Sequence, residues 1–381
     1  MAFMCMYLLL ISSLCLTTSD DTADDVFEVN TTTHSSNLSG VIGPDQDDVI
    51  EVAVFATSMV IAGLGLLGNG LVIGIFFLNW SLTRTLTSLY IFHQSVIDFI
   101  SSVMFAALQL DRGKPLLAVG GWVGAVSCKV WYSKALFWSL LHTSTINLVL
   151  VTLERYISVL HPICRRSHFT RRKAKLTMLL AWLVGLCYQS YWLVVSHTDH
   201  GRCYQEFPSD AIQNLFGGLT ILVEYLAPLA IMSFAYVRII SRLKKLSKYG
   251  DRSARSSLSP RKRAPSSNSV AVGRERRRSG PTQLMLIKAR RNVTKTLCLV
   301  FATYVICWTP VEIEYIIYSA GFLHSRSIPE LRATKVLVMC NMCINPFIYA
   351  AKYREFQEAV HRTWNRLRCR EFSTAPFPPS P

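Results

Sequence analysis

Asp98, Lys134, Glu224, Glu312, Glu314 and Lys335 each stand in a stretch of sequence otherwise too apolar to welcome a charge. Taking such a group out of water is costly unless it meets an opposite charge, a hydrogen-bond donor, an ion or a ligand, so each is a binding candidate. Two arrangements are open. Glu312 with Lys335 and Glu224 with Lys134 can neutralise one another, or the acids stay unpaired and suit an arginine- or lysine-containing ligand. Phe137, Trp138, Tyr315 and Tyr318 supply apolar and aromatic walls for such a pocket, whereas Tyr191 and Trp192 read as residues of a membrane-interface belt. The chain has no glycine-rich phosphate loop and no His-Glu-x-x-His metal helix. Its chemistry is recognition, and it is expected not to be an enzyme.

The elements that position these groups are apolar blocks. With 51% hydrophobic and 17% charged residues, the 381-residue chain has the composition of a membrane protein. A helix needs about 20 mainly apolar residues to cross a hydrocarbon layer roughly 30 Å thick. Stretches that qualify lie at residues 49–77, 86–108, 125–159, 174–196, 211–240, 287–320 and 331–351. The predicted fold is an all-α membrane protein, a seven-transmembrane-helix bundle with an amphipathic eighth helix. The third, fifth and sixth spans exceed the length a crossing requires and must tilt or project. The net charge of +16 would suggest nucleic acid in a soluble protein. Here the basic residues gather on one side, with Arg165, Arg166, Arg171, Arg172, Lys173 and Lys175 after the third span and a longer run after the fifth. The positive-inside rule makes that side cytoplasmic and the N-terminus extracellular. Membrane lipids, and no nucleic acid, are the partners of this charge.

Outside the 49–351 bundle the reading is coarser. Residues 1–18 form a candidate signal peptide, the alternative being an uncleaved tail. Residues 19–48 are an acidic extracellular segment with glycosylation sequons at Asn30 and Asn37, a pattern that also occurs at Asn79 and Asn292 near the cytoplasmic side. Cys128 and Cys203 are the two cysteines at the oxidising outer face, and one disulfide between them is expected. Residues 241–286 read as a disordered basic loop near anionic lipid, with Ser279 after Arg276, Arg277 and Arg278 as a basophilic-kinase site. In 352–381, Phe356, Val360, Trp364 and Leu367 recur at helical spacing as the apolar face of a surface helix, and Cys369 is a palmitoylation candidate.

One set of motifs runs through all seven spans: Gly68-Asn69, Asp98, Glu154-Arg155-Tyr156, Trp182, Pro228 with Tyr236, Cys307-Trp308-Thr309-Pro310, and Asn345-Pro346-Phe347-Ile348-Tyr349. In this order it resembles the rhodopsin-like family of G-protein-coupled receptors. The resemblance implies a plasma-membrane receptor that binds an extracellular ligand and activates a heterotrimeric G protein, with receptor kinases and arrestin as further partners. It implies an activation switch made of Glu154, Arg155, Tyr156, Tyr236, Trp308, Pro310, Asn345, Pro346 and Tyr349. Arg155 would be freed from Glu154, Tyr236 and Tyr349 would swing inward, and Trp308 would drive the sixth helix about Pro310, where a missing backbone hydrogen bond permits bending. No cofactor is required, but an allosteric sodium ion is implied at Asp98, with Ser144, Trp308, Asn341 and Asn345 around it. A hydrated network without an ion is the alternative.

Departures from the family pattern qualify these expectations. Amine receptors carry an aspartate where this chain has Phe137, and opsins a retinal-binding lysine where it has Met339. A neuropeptide or peptide hormone is the ligand class left, ahead of a non-peptide small molecule or lipid. A transporter or channel would need internal repeats or matched broken helices, and none is evident. Arg155 follows Cys128 at a longer spacing than usual, so the third helix starts with a bulge or begins beyond the cysteine. Tyr304 replaces the usual phenylalanine before Trp308, and Gln94 replaces the usual leucine before Asp98. Lys288, Arg290 and Arg291 stand where an acid would form a second restraint on Arg155. Loosely restrained, the receptor is expected to signal without ligand; basal signalling no higher than in mock-transfected cells would contradict this.

Overall fold

The computed structural model describes the backbone of residues 46–111, 115–258, 270–319 and 329–373, and side chains within 49–111, 115–165, 169–248, 290–317, 334–366 and 368. Asn30 and Asn37 lie outside the described residues, as do the side chains of Ser279, Lys288, Tyr318 and Cys369.

Inside a bilayer the backbone has no water to bond, so a spanning segment must satisfy its own N–H and C=O groups as helix. Seven helices among the described residues are long and apolar enough to cross. The first span is Gln46–Leu78 and the second Leu86–Leu110. The third joins an α-helix, Gly121–Ser127, a π-turn, Cys128–Tyr132, and a long α-helix, Ala135–Leu160. The fourth, Arg171–Gln189, runs on into Tyr191–Val195. The fifth comprises Asp210–Thr220, a π-segment Ile221–Leu226, and Ala227–Leu258. The sixth is Val270–Ser319, the seventh Pro329–Lys352, and a terminal helix occupies Arg354–Ser373.

The third span is the axis of the bundle. It packs on the second, fourth and fifth, and 67% of its most apolar window is buried, against 28% for the fourth. Small residues permit this approach. A Cβ at Gly185 of the fourth span would lie 2.9 Å from the Ser139 carbonyl oxygen.

The interruption of the third span answers the long Cys128 to Arg155 spacing with both expected devices, a bulge and a restart. After the π-turn, Lys134 adopts φ 60°, a left-handed conformation unusual for a side-chain-bearing residue. Ser133 bridges the break: its hydroxyl donates to the Lys129 carbonyl at 2.5 Å and accepts from the Ala135 N–H at 3.1 Å. Cys128 is bonded to Cys203, with the two Cα atoms 5.5 Å apart. That bond ties the π-turn to an antiparallel hairpin, β1 (Ser196–Asp199) and β2 (Arg202–Gln205). His200 and Gly201 turn the hairpin with positive φ, the sense that matches strand twist.

Two parts differ from expectation. Residues 241–258 and 270–286, read as disordered loop, are helical, continuing the fifth and sixth spans. Once a helix is nucleated by an apolar span, each further Lys, Arg, Leu or Gln extends it at little cost, so composition underestimates its length. The terminal helix buries Phe356, Ala359 and Thr363 against the bundle, as Tyr353 just before it is buried, Thr363 accepting from Asn79 Nδ2 at 2.7 Å. Val360 and Trp364, assigned to the same face as Phe356, are exposed on an adjoining one.

Replacing Cys203 by Ser removes a cross-link between residues 75 apart in sequence and should destabilise the protein by about 2 kcal/mol or more. A lower Tm and poorer surface delivery are expected, with Cys128→Ser/Cys203→Ser no worse than the single change.

Candidate functional site

In the half of the bundle nearer the disulfide, two buried acids lie within electrostatic reach of each other. The π-segment of the fifth span turns Glu224 inward, and both Glu224 and Glu312 of the sixth span are 5% exposed. Their charges repel. The other influences are burial at both and, for Glu224, the Gln189 amide, which donates to Oε1 at 2.8 Å. Gln189 is itself oriented by Trp192 Nε1, which donates to its Oε1 at 3.0 Å. Glu312 Oε2 is buried without a hydrogen-bond partner. Tyr188, Tyr191 and Tyr315 lie within reach of this field, and Tyr188 stacks on His142 with ring centroids 4.9 Å apart.

Of the expected ligand residues, the structure thus brings Glu224, Glu312 and Tyr315 together. Lys134 lies exposed at the break in the third span, and Lys335 is half-buried on the seventh. Phe137 stacks on Phe105 of the second span at 5.8 Å and so packs the second span on the third, with Trp138 beside it at 6.0 Å. Glu314 points to the seventh span, where Thr334 donates to it. Gln189, His142 and Tyr188 were missed. An isolated amide or imidazole in an apolar run is the same signal as an isolated acid and could have found the first two. Tyr191, assigned to the interface belt, belongs with the acids.

Deeper in the bundle Asp98 is 1% exposed and meets three donors. Gln94 Nε2 and Ser144 Oγ reach its Oδ1 at 2.9 and 3.0 Å, and Asn345 Nδ2 reaches Oδ2 at 2.9 Å. Gln94 Nε2 also meets Ser144 Oγ at 2.5 Å. Where a cation would bridge Asp98 and Ser144 there stands an amide nitrogen. Asn341 Oδ1, Asn345 Oδ1 and Trp308 Nε1 are buried without partners in the surrounding shell. Tyr304 rests against Trp308 at 5.9 Å, and its hydroxyl donates to the Glu224 backbone carbonyl at 2.9 Å. The hydroxyl that distinguishes it from phenylalanine therefore links the acid-bearing π-segment to the tryptophan.

At the far end of the third span, Glu154 lies 3.1 Å from Arg155 Nε. The contact is an ion pair by distance, without a well-aligned N–H donor. The same carboxylate accepts from Thr87 Oγ1 at 2.5 Å and from Arg165 Nε at 3.1 Å. Arg165 belongs to the short helix Pro162–His168. Arg290 is half-buried and Arg291 exposed at the base of the sixth span. Thr152 Oγ1 donates to the Leu148 carbonyl, so the Tyr236 hydroxyl, 3.0 Å away, donates to Thr152. Tyr349 is fully buried below Asp98, lining a small cavity with Tyr90, Gln94 and Asn147. Tyr156 packs on His161 and Phe234. Pro346 is approached by Gly68, where a Cβ would come within 3.1 Å of the ring. Pro310 lies within the sixth helix two residues after Trp308.

Seven spans around a buried polar column, with a charged pair at one end and facing acids at the other, define a seven-helix transmembrane receptor. Residues 68–349 match the family described as 7 transmembrane receptor (rhodopsin family), and the chain belongs to that family. It is a G-protein-coupled receptor and a multi-pass plasma-membrane protein. It is similar to galanin receptor type 3 of Homo sapiens, 26% identical over 328 residues that cover 82% of this chain and 78% of that protein. Neuromedin-U receptor 2 of Rattus norvegicus is 24% identical over 345 residues, 84% of this chain and 77% of that one. The allatostatin-A receptor of Bombyx mori is 25% identical over 312 residues, 78% and 76% of the two chains.

Removing the Glu154 charge by Glu154→Gln should loosen Arg155 and raise ligand-free nucleotide exchange severalfold. Thr87→Val, which takes away one of three partners, should raise it less. Equal basal exchange in Glu154→Gln and wild type at matched surface levels would show that this pair restrains nothing.

Proposed function

We propose that the chain is a peptide receptor in which Glu224 and Glu312 take a basic group of an extracellular peptide, an arginine or lysine side chain or a free amine. One observation carries the reading: Glu312, buried within the field of the buried Glu224, leaves one carboxylate oxygen without a hydrogen-bond partner. A guanidinium can bridge two carboxylates. The names of the relatives, receptors for galanin, neuromedin-U and allatostatin-A, favour the same ligand class. In this reading the disulfide end faces outward and the Glu154 end meets the G protein, receptor kinases and arrestin. Val360 and Trp364 of the terminal helix then lie in the inner leaflet.

Occupation of the acids bears on the switch through Tyr304. A cation between Glu224 and Glu312 cancels their repulsion and draws the fifth and sixth spans together. Tyr304, bonded to the Glu224 carbonyl and resting on Trp308, carries that movement to the sixth helix. The ligand acts by binding one of two helix arrangements more tightly.

Amidated neuropeptides with and without internal arginine or lysine, tested on cells reporting several G-protein pathways, identify active ligands. Glu224→Gln and Glu312→Gln should each lower the potency of a basic peptide agonist by about tenfold or more, sparing peptides that lack a positive group. Unchanged potency in both variants for every active peptide would remove the acids from the binding site.

A further inference from the structure

We propose that the Gln94 amide takes the place of a sodium ion at Asp98, so that this receptor's conformational equilibrium is indifferent to sodium. Gln94 and Asp98 are one turn apart on the second span and share a face. The Gln94 nitrogen reaches both Asp98 Oδ1 and Ser144 Oγ, the two oxygens a bound cation would have to bridge, and Ser144 in turn donates to Oδ1. Asn345 engages Oδ2.

The orientation of the amide is set by its neighbours. Backbone carbonyls only accept, so the Tyr90 carbonyl, 3.1 Å from the Asn147 amide, faces Asn147 Nδ2. Asn147 Nδ2 also reaches the Gln94 amide at 2.8 Å, which makes that Gln94 atom the oxygen and turns Nε2 toward Asp98. The other end agrees. Trp182 Nε1 can only donate, and it meets His93 Nε2 at 2.9 Å; His93 therefore carries its proton on Nδ1 and donates to Asn147 Oδ1 at 2.8 Å. One directed chain runs from Trp182 of the fourth span through His93, Asn147 and Gln94 to Asp98.

This donor set does not fit a sodium ion. An ion between Asp98 and Ser144 would lie against the positive end of an N–H dipole, and swinging Gln94 away would strip Asn147 Nδ2 of one buried acceptor. Asn341 Oδ1 and Asn345 Oδ1 are unpartnered, but both are neutral, and the carboxylate that would have to neutralise the ion is engaged on both oxygens.

The test is the thermal stability of the purified full-length receptor in detergent, titrated with NaCl against choline chloride at constant ionic strength. Wild type should show the same Tm in both salts, and Gln94→Leu should gain a sodium-specific rise of several degrees that Gln94→Leu/Asp98→Asn lacks. Basal nucleotide exchange in membranes should behave alike, suppressed by sodium in Gln94→Leu alone. A sodium-specific rise in wild type overturns the proposal without recourse to any variant. So does indifference to sodium in folded Gln94→Leu and Gln94→Met, since the amide would then not be what excludes the ion.

Discussion

A carboxylate in the middle of a membrane bundle has no water to turn to, and Asp98, 1% exposed, must draw its partners from the helices around it. It takes Gln94 from its own helix, Ser144 from the third span and Asn345 from the seventh. Three spans are thereby fixed relative to one another by one side chain. Through Gln94 and Asn147 the constraint reaches His93 and then Trp182 of the fourth span. Helices in lipid gain little by excluding one another's apolar surface from solvent, so directed bonds of this kind carry more of their mutual positioning than they would in a soluble bundle.

The two functional ends hang from this column by different devices. On the disulfide side the helical repeat is broken: π-segments at Cys128–Tyr132 and Ile221–Leu226 re-aim the side chains on the turns beyond them. The first gives the third span its extra length below the disulfide, and the second turns Glu224 toward Glu312. On the other side the repeat is regular and the contacts are between charged groups. Glu154 serves Arg155, Arg165 and Thr87 together, so Arg155 shares its partner with a neighbouring loop helix and the second span. Tyr304 and Trp308 stand between the two ends. Because packed helices adopt discrete arrangements rather than bending continuously, the proposed occupation of the acids would be passed on as a movement of the whole sixth helix.

Much of this was legible in the sequence. Apolar length alone located seven spans, because a helix must be long enough to cross the hydrocarbon layer. The ordered motifs, from Gly68-Asn69 to Asn345-Pro346, carried the family resemblance, and Cys128 and Cys203, the two cysteines expected at the outer face, carried their disulfide. The long Cys128 to Arg155 spacing signalled an interruption of the third helix. Composition misjudged residues 241–258 and 270–286, where helix runs on into sequence that by content alone has no core to bury.

What tertiary structure alone decided is which side chains meet. The isolated charges were visible, but their partners depend on rotation about each helix axis, and a π-turn alters that rotation with no mark in hydrophobic periodicity. Glu224 therefore meets Gln189 and lies in the field of Glu312, and Phe137 turns to Phe105. Gln94 was visible as a departure one turn before Asp98. That its nitrogen faces the carboxylate was not, since an amide's orientation is set by donors and acceptors on other helices, here Asn147, the Tyr90 carbonyl, His93 and Trp182.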